Sequence, residues 1–334
     1  MGVSARAIGL ALGYAADLAF ADPRRGHPVA GFGRLASALE GVCWADDRPR
    51  GAAYTGVLVG GTASAGWLAQ RATSGRPVAE VGMVAVATWA VLGGRSLARE
   101  GMVMQRLLEG DDLPAARDRL GHLCARDATG LPAGELARAS VESLAENTSD
   151  AVVAPLLWGA FAGVPGLVGY RAANTLDAMG GYRSERHLRF GWASARLDDL
   201  LNLAPARVAA ALTVAAAPLV GGRWGQAWTI WRRDWSRHPS PNAGPVEAAS
   251  AGALGVRIGG SNIYDGTAED RGTLGDGRPV VVGDLARAVR LSQAVGFGGI
   301  LTAVGVAVGA AAIRKRPAGR LHPAQRLRFP DDRT

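Results

Sequence analysis

"AVGFGGILTAVGVAVGAAAI" (294–313) decides the fold: twenty residues without a charge, followed at once by "RKRPAGR" (314–320). A helix needs about 20 apolar residues to cross a bilayer. A basic stop after such a run marks the cytoplasmic side. The stretch reads as a membrane helix with a cytoplasmic C-terminus. The competing reading is a buried Ala-rich helix in a soluble all-helical protein. The uncharged length argues against it.

Working outward, further apolar stretches occupy roughly 7–20, 52–70, 78–93, 151–173 and 203–220. They are rich in Ala and Gly, which let helices approach closely in lipid. The expected fold is all-α: a polytopic integral membrane protein, with 1–313 as a single membrane-embedded domain and 314–334 as a basic tail. Segment 151–173, "AVVAPLLWGAFAGVPGLVGYRAA", is interrupted by Gly163, Pro165 and Gly166. A straight helix would send 142–150 and 174–202 to opposite membrane faces. A broken or re-entrant helix near 163–166 returns both to one face, which buried irregular backbone permits. We expect the folded-back form, with polar motif loops at 94–150, 174–202 and 221–293.

Composition narrows the classes. The chain has 334 residues, 48% apolar but only 6% aromatic, and a net charge of +8 with Lys315 as its one lysine. A basic balance suits nucleic acid, an anionic membrane surface or an anionic substrate. No helix-turn-helix, zinc-finger or aromatic RNA-binding signature is present, so nucleic acid is set aside. Cys43 and Cys124 are far apart, which excludes a disulfide framework or thiolate zinc site. The start, "MGVSARAIGLALGYAADLAFADP" (1–23), mimics a signal peptide. Asp17 interrupts it and no A-x-A site follows, so it is expected to be mature protein.

"GRWGQAWTIWRRDWSRHPS" (222–240) places Trp224, Trp228, Trp231 and Trp235 on one helical stripe. Arg223, Arg232, Arg233 and Arg237 lie beside it, which suits an interfacial Trp-rich helix in the headgroup region. Core packing, or a stacking wall for a planar ligand, are the alternatives.

Polar chemistry gathers in three clusters. In "SVESLAENTSDAVVAP" (140–155), Glu142, Glu146 and Asp150 form an acidic stripe at i, i+4, i+8. Like charges at that spacing destabilise a helix unless a cation or arginines oppose them. A solvated face is the plain reading of that cluster alone. In "YRAANTLDAMGGYRSERHLRFGWASARLDDLLN" (170–202), Asn174 and Asp177 are i, i+3, and Asp198 shares a helix face with Asn202. Arg171, Arg183, Arg186, Arg189 and Arg196 surround them. Oxygen ligands beside arginines suit magnesium and phosphate. Adjacent Asp198 and Asp199 at the mouth of an apolar run are costly unless a divalent ion joins them. The alternative is an acidic helix N-terminus favoured by the dipole.

The third cluster is "RHPSPNAGPVEAASAGALGVRIGGSNIYDG" (237–266), where His238, Ser240 and Asn242 sit in a proline-bounded turn. "RIGGSNIYDG" reads as a second, Gly-rich turn whose amides could hold an anion. A serine nucleophile served by His238 lacks a G-x-S-x-G elbow. "GFGRLA" (31–36) mimics a dinucleotide loop, but "DPRRGHPV" stands before it instead of a strand. A G-x-x-x-x-G-K-[ST] phosphate loop is absent.

Together, "ESLAENTSDAVVAPLLW", "YRAANTLDAMGGYRSERHLRFGWASARLDDLLNLAPAR" and "HPSPNAGPVEAASAGALGVRIGGSNIYDG" closely resemble the CobD/CbiB family of cobalamin biosynthesis. "DPRRGHPVAGFGRL" (22–35) fits that family's D-P…H-P-V…G element. The resemblance runs from about residue 9 to about residue 310. Ser250 stands where the pattern leads one to expect methionine.

The resemblance implies an adenosylcobinamide-phosphate synthase, a multi-pass enzyme of the inner membrane whose site faces the cytoplasm. Its reaction is an ATP-dependent amide ligation. (R)-1-aminopropan-2-ol, or its O-phosphate, joins a carboxylate of adenosylcobyric acid. ATP and Mg2+ are the implied cofactors. The implied partners are the corrinoid, the amine and the lipid bilayer, with homo-oligomers or other corrinoid-pathway membrane enzymes compatible.

In that frame Asp198 and Asp199 are expected as metal ligands. Glu146 or Asp150 would complete the shell, and Asp177 or His238 would take the amine's proton. Arg183 and Arg196 are expected on phosphate. Asn147, Asn174, Asn202, Ser240, Asn242 and Tyr264 are expected to bind substrate. The rivals are a membrane-embedded Mg-dependent alcohol phospho- or prenyltransferase, and a transporter. "DDLLN" has no second copy, and the chain shows no internal repeat.

Overall fold

The structure is a computed structural model, and it describes residues 3–23, 26–180, 186–264 and 267–315. The chain opens with α1 (Val3–Phe20), α2 (Pro28–Cys43), α3 (Arg48–Ala72) and α4 (Pro77–Val91). Proline occupies the first turn of α2, α3 and α4, where a missing N–H costs nothing. Asp47 caps α3 by accepting from Arg50 N at 2.7 Å. After a break at 92–93 come α5 (Gly94–Glu109), α6 (Leu113–Leu120) and α7 (Ala133–Thr148).

α7 runs on through a π turn, Ser149–Val153, into α8 (Ala154–Ala162). There the chain turns back. Gly163 has φ 76°, a conformation that favours glycine, and α9 (Val164–Gly180) packs against α8. The folded-back form expected from "GVPG" is the one observed. α10 (Trp192–Ala216), α11 (Trp224–Asp234) and α12 (Ala243–Leu254) follow. A small sheet of β1 (Val256–Tyr264), β2 (Thr267–Leu274) and β3 (Arg278–Pro279) precedes the long α13 (Asp284–Lys315). Its order is β2-β1-β3, with β1 antiparallel to β2 and parallel to β3.

The protein is mostly helical, as expected, but three readings change. Segment 94–150 is largely helical and segment 221–293 is built of helices and the small sheet, instead of loops. "RIGGSNIYDG" begins as strand β1 instead of a turn. A register shift between Gly259 and Ser261 absorbs its glycines as an irregularity in the β1–β2 pairing. The tryptophan stripe divides: Trp224, Trp228 and Trp235 are exposed, whereas Trp231 packs against the core.

Besides a small apolar cluster of Ala36, Tyr54, Leu58, Leu176 and Phe190, two larger apolar cores follow one another along α13. One joins α5, α6, α7, the later half of α10, α12, the sheet and the first half of α13. The other joins α1, α4, α8, α9 and the second half of α13. The helices of this second core expose large apolar side chains, among them Ile8, Leu12, Val86, Phe161, Phe297 and Leu301. Such an apolar girdle suits lipid. Among the described residues, three helical stretches, Pro77–Glu109, Trp192–Val220 and Asp284–Gly309, are long and apolar enough to cross a membrane.

α1 and α4 meet through Gly9 and Gly13, spaced as in a G-x-x-x-G contact. A Cβ on Gly13 would lie 2.4 Å from Thr88 Cβ. Gly13→Ala should therefore destabilise the protein by about 1–3 kcal/mol, read as a lower midpoint of thermal unfolding in detergent. Gly56→Ala, whose Cβ meets nothing within 4 Å, should be neutral or slightly stabilising in the same measurement.

Candidate functional site

The polar residues collect at the seam between the two cores. Asp150 lies in the π turn, where α7 passes from one core to the other. π turns recur at functional positions because they re-aim side chains within a helix. The reversal at Gly163 brings α9 back beside this turn. The Tyr170 hydroxyl stands 3.1 Å from the Asp150 carbonyl oxygen and 2.8 Å from Asn202 Oδ1, sharing its proton between them.

Asp198 on α10 is buried and held by two amides. Asn202 Nδ2 donates to its Oδ2 at 2.9 Å, and Asn174 Nδ2 to its Oδ1 at 3.3 Å. Arg171 donates to Asn174 Oδ1 at 3.4 Å and so orients that amide. Asp150 has Asp198, Glu146 and Asp177 as like-charged neighbours and Arg171 as the opposing charge. Asp177 in turn faces Asp198, Asp199 and Glu146.

Asp199 leaves α10 about 100° away from Asp198, as consecutive helical residues do, and its charge still acts on Asp177 and Asp198. Its carboxylate pairs with exposed Arg196 at 3.4 Å. Its carbonyl accepts from Asn242 Nδ2 at 2.8 Å, and Asn242 Oδ1 accepts from Arg207 at 3.0 Å. The two adjacent aspartates thus differ in their partners, Asp198 held by two amides and Asp199 by Arg196, while both add charge beside Asp177. Among the described residues, no three His, Cys, Asp or Glu side chains are already gathered into a ligand shell.

A second buried group lies on the other side of Glu146. His238 and Glu247 approach to 3.8 Å, with Glu142, Glu146, Arg126 and Arg271 around Glu247. Burial, then Arg271, push the imidazole down to about 4. Burial, then Glu142 and Glu146, push the Glu247 carboxyl well above its ordinary range. This contact is therefore a neutral pair rather than a salt bridge. Glu142 is fully used: it accepts from Arg126, from Arg138 at 3.0 Å and from Gly259 N at 2.7 Å. It ties α7 to β1.

The sequence candidates separate by what they hold. Asp150, Asn174, Asp177, Asp198 and Asn202 come together, with Glu146 between them and the His238–Glu247 pair. Asn147 donates to the carbonyls of Ser143 and Leu123, which anchors a loop instead of facing the aspartates. Ser240 Oγ accepts from Asn242 N and Ala243 N and caps the start of α12. A nucleophilic serine would have to give up that cap. Tyr264 ends β1, and its side chain is not described. Arg183 lies outside the described residues.

Sequence reasoning missed Tyr170, Arg126, Arg271 and Glu247 as parts of the site. Glu247 carried a signal, as the one charge in a helix otherwise made of small and apolar residues. Tyr170 was concealed within an apolar segment, and the two arginines stand in unremarkable polar stretches.

The fold and site define a polytopic helical membrane protein with an acid- and amide-rich centre at the seam of two cores. The family described as CobD/Cbib protein matches residues 10–292, and the chain belongs to it. A Mycobacterium tuberculosis relative, "Cobalamin biosynthesis protein CobD", is 54% identical over 301 residues, covering 90% of this chain and 95% of its own. Relatives of the same name from Geobacter metallireducens and Chromobacterium violaceum are 46% and 43% identical. They cover 78% and 82% of this chain, and 83% and 88% of their own. No solved structure matches the chain.

Asp198→Asn tests the amide cradle. The new amide would turn an N–H donor toward Asn174 or Asn202, which already donate. The unmade bonds should cost about 1–3 kcal/mol, read as a lower thermal midpoint. Asp199→Asn should leave stability nearly unchanged, because its carboxylate is partly exposed and weakly paired.

Proposed function

We propose that this chain is an enzyme of cobalamin biosynthesis that forms an amide bond. It joins (R)-1-aminopropan-2-ol, or its O-phosphate, to a carboxylate of adenosylcobyric acid and consumes ATP. The observation that carries the reading is the buried acid- and amide-rich seam, in a chain that shares 54% identity with a protein named for cobalamin biosynthesis. We place the enzyme in the cell's inner membrane with the seam toward the cytoplasm, where ATP and corrinoid are available.

The chemistry sets what the residues must do. A carboxylate does not accept an amine directly, so phosphoryl transfer to the carboxylate is the expected activation. Charge on the transferring group must then be neutralised. Asp150, Asp177 and Asp198 present hard oxygen donors, with three acids against one arginine around Asp150. That excess of negative charge fits a divalent cation such as Mg2+. When bound, the ion supplies charge neutralisation for phosphate oxygens.

The chain's own groups do the rest. Asn174 and Asn202 hold the Asp198 carboxylate in place. Tyr170 fixes Asn202 and the π turn relative to each other. Arg196, exposed beside Asp199 at the start of α10, is placed to meet an anionic substrate group from outside. Asn242 has both ends of its amide engaged, so its part is to build the wall.

The direct test is reconstitution in nanodiscs with adenosylcobyric acid, amine, ATP and magnesium. Loss of ATP should match formation of corrinoid amide mole for mole. ATP loss without corrinoid product, or a coloured corrinoid that never binds, would sink the reading. In the same assay Asp150→Asn should lose most activity at ordinary magnesium and regain part of it in excess magnesium, since mass action offsets weakened binding. Unchanged magnesium dependence would remove Asp150 from the metal set.

A further inference from the structure

One buried pair has no part in the reading above. All twelve residues of α12 are buried, and Glu247 is the single charged residue among them. Both Glu247 oxygens and His238 Nε2 lack a hydrogen-bond partner, although each side chain is only 1% exposed. Their separation of 3.8 Å is beyond a direct hydrogen bond. Polar atoms buried this way are costly unless a bound molecule completes them.

The geometry limits what that molecule is. Ser240 N donates to His238 Nδ1 at 3.0 Å. The lone pair of Nδ1 is therefore in use, and the proton of the neutral ring sits on Nε2. Nε2 is a donor and cannot ligate a metal without breaking the turn. Glu247 supplies acceptors. The pair thus offers one acceptor and one donor side by side. A vicinal amino alcohol carries the complementary set on neighbouring carbons: N–H donors and an oxygen acceptor. An anion alone would find no opposing charge in a neutral carboxyl and imidazole, and a plain alkylamine would leave Nε2–H unanswered.

We propose that Glu247 and His238 form the amino-alcohol subsite, with the nitrogen seated on the Glu247 carboxylate and the oxygen on His238 Nε2–H. The inference rests on the ligation reading and names the residues that select its amine. Glu142 and Glu146 on α7, Arg126 before it and Arg271 on β2 face Glu247. Arg271 and Glu142 also face His238. Glu142 is occupied by its arginines and by Gly259 N. Glu146 is partly exposed and neighbours both Glu247 and Asp150. An amine held here stands beside the aspartate network, where the carboxylate would be activated.

Calorimetry on the full-length protein in nanodiscs tests this without turnover. The probes are 1-aminopropan-2-ol, its O-phosphate and propylamine, which lacks the oxygen. The wild-type protein should bind the amino alcohol about tenfold or more tightly than propylamine. Glu247→Gln should weaken all three by about tenfold, with corrinoid affinity unchanged. His238→Asn keeps an acceptor for Ser240 N but loses the Nε2 donor. It should abolish the preference for the amino alcohol while leaving propylamine binding unchanged, an effect that general loss of structure would not produce. If Glu247→Gln does not fold, the wild-type preference and His238→Asn still decide. Equal wild-type affinity for amino alcohol and propylamine overturns the proposal, as does amine affinity in folded Glu247→Gln within about twofold of wild type. Amine binding as expected, in a protein that makes no corrinoid amide, would leave the subsite standing and overturn the ligation reading instead.

Discussion

The reversal at Gly163 is the constraint on which the site depends. Asp150 and Asp177 lie at the far ends of an apolar stretch long enough to separate them across a membrane. A left-handed glycine between α8 and α9 returns the chain so that both ends meet. A Cβ on Gly166, one turn on, would lie 2.2 Å from the Trp158 carbonyl oxygen, so the tight approach of the two helices needs glycine there as well. Once the hairpin closes, Tyr170 can reach the Asp150 carbonyl and Asn202 together. Like-charged carboxylates are brought close by packing that they do not themselves favour. The apolar contacts of α8 and α9 supply the offset.

α13 carries the same seam from the other side. Its first half packs in the core of α5, α7 and α12, and its second half in the core of α1, α4 and α8. Thr148, just before the π turn, stands 2.6 Å from Ser292 at the changeover. Gly299 lets the helix pass the π turn closely, with Val153 Cγ2 3.3 Å from where a Cβ would lie. A rigid helix that belongs to both cores holds the two halves of the site in register. The uncharged stretch that marks a membrane helix in the sequence is also what fixes the geometry of the polar centre.

Much of this was legible in the residues, and for identifiable reasons. Apolar length gave helices, and Gly and Pro near 163–166 gave the reversal, because each acts through local sterics. Polar residues that gather by chain reversal could be grouped once the reversal was accepted. What stayed hidden depends on pairing across the chain. The strand at 256–264 reads as a turn until β2 supplies its partner. Segments 94–150 and 221–293 look like loops because charges, glycines and prolines interrupt them, although α12 is buried on every side. Arg126 gains its place through Glu142, sixteen residues on. The hydrogen bonds that Asn147 and Ser240 make to backbone could not be read from residue type either, since they depend on the fold around them.

The adjacent aspartates show why residue type alone assigns roles poorly. Asp198 and Asp199 have the same chemistry and neighbouring positions, yet one turn angle separates their surroundings. Asp198 faces inward to two amides that satisfy it, and it remains beside Asp150 and Asp177. Asp199 faces the rim, where Arg196 and the Asn242–Arg207 contact complete the wall. An amide-cradled carboxylate is rigid, since its hydrogen bonds resist rotation in either direction. Glu247, with no such bonds, is the opposite case: buried, positioned by its helix and left with both oxygens to give. The contrast divides the centre into carboxylates held by hydrogen bonds, such as Asp198, and a buried carboxyl, Glu247, whose oxygens make none.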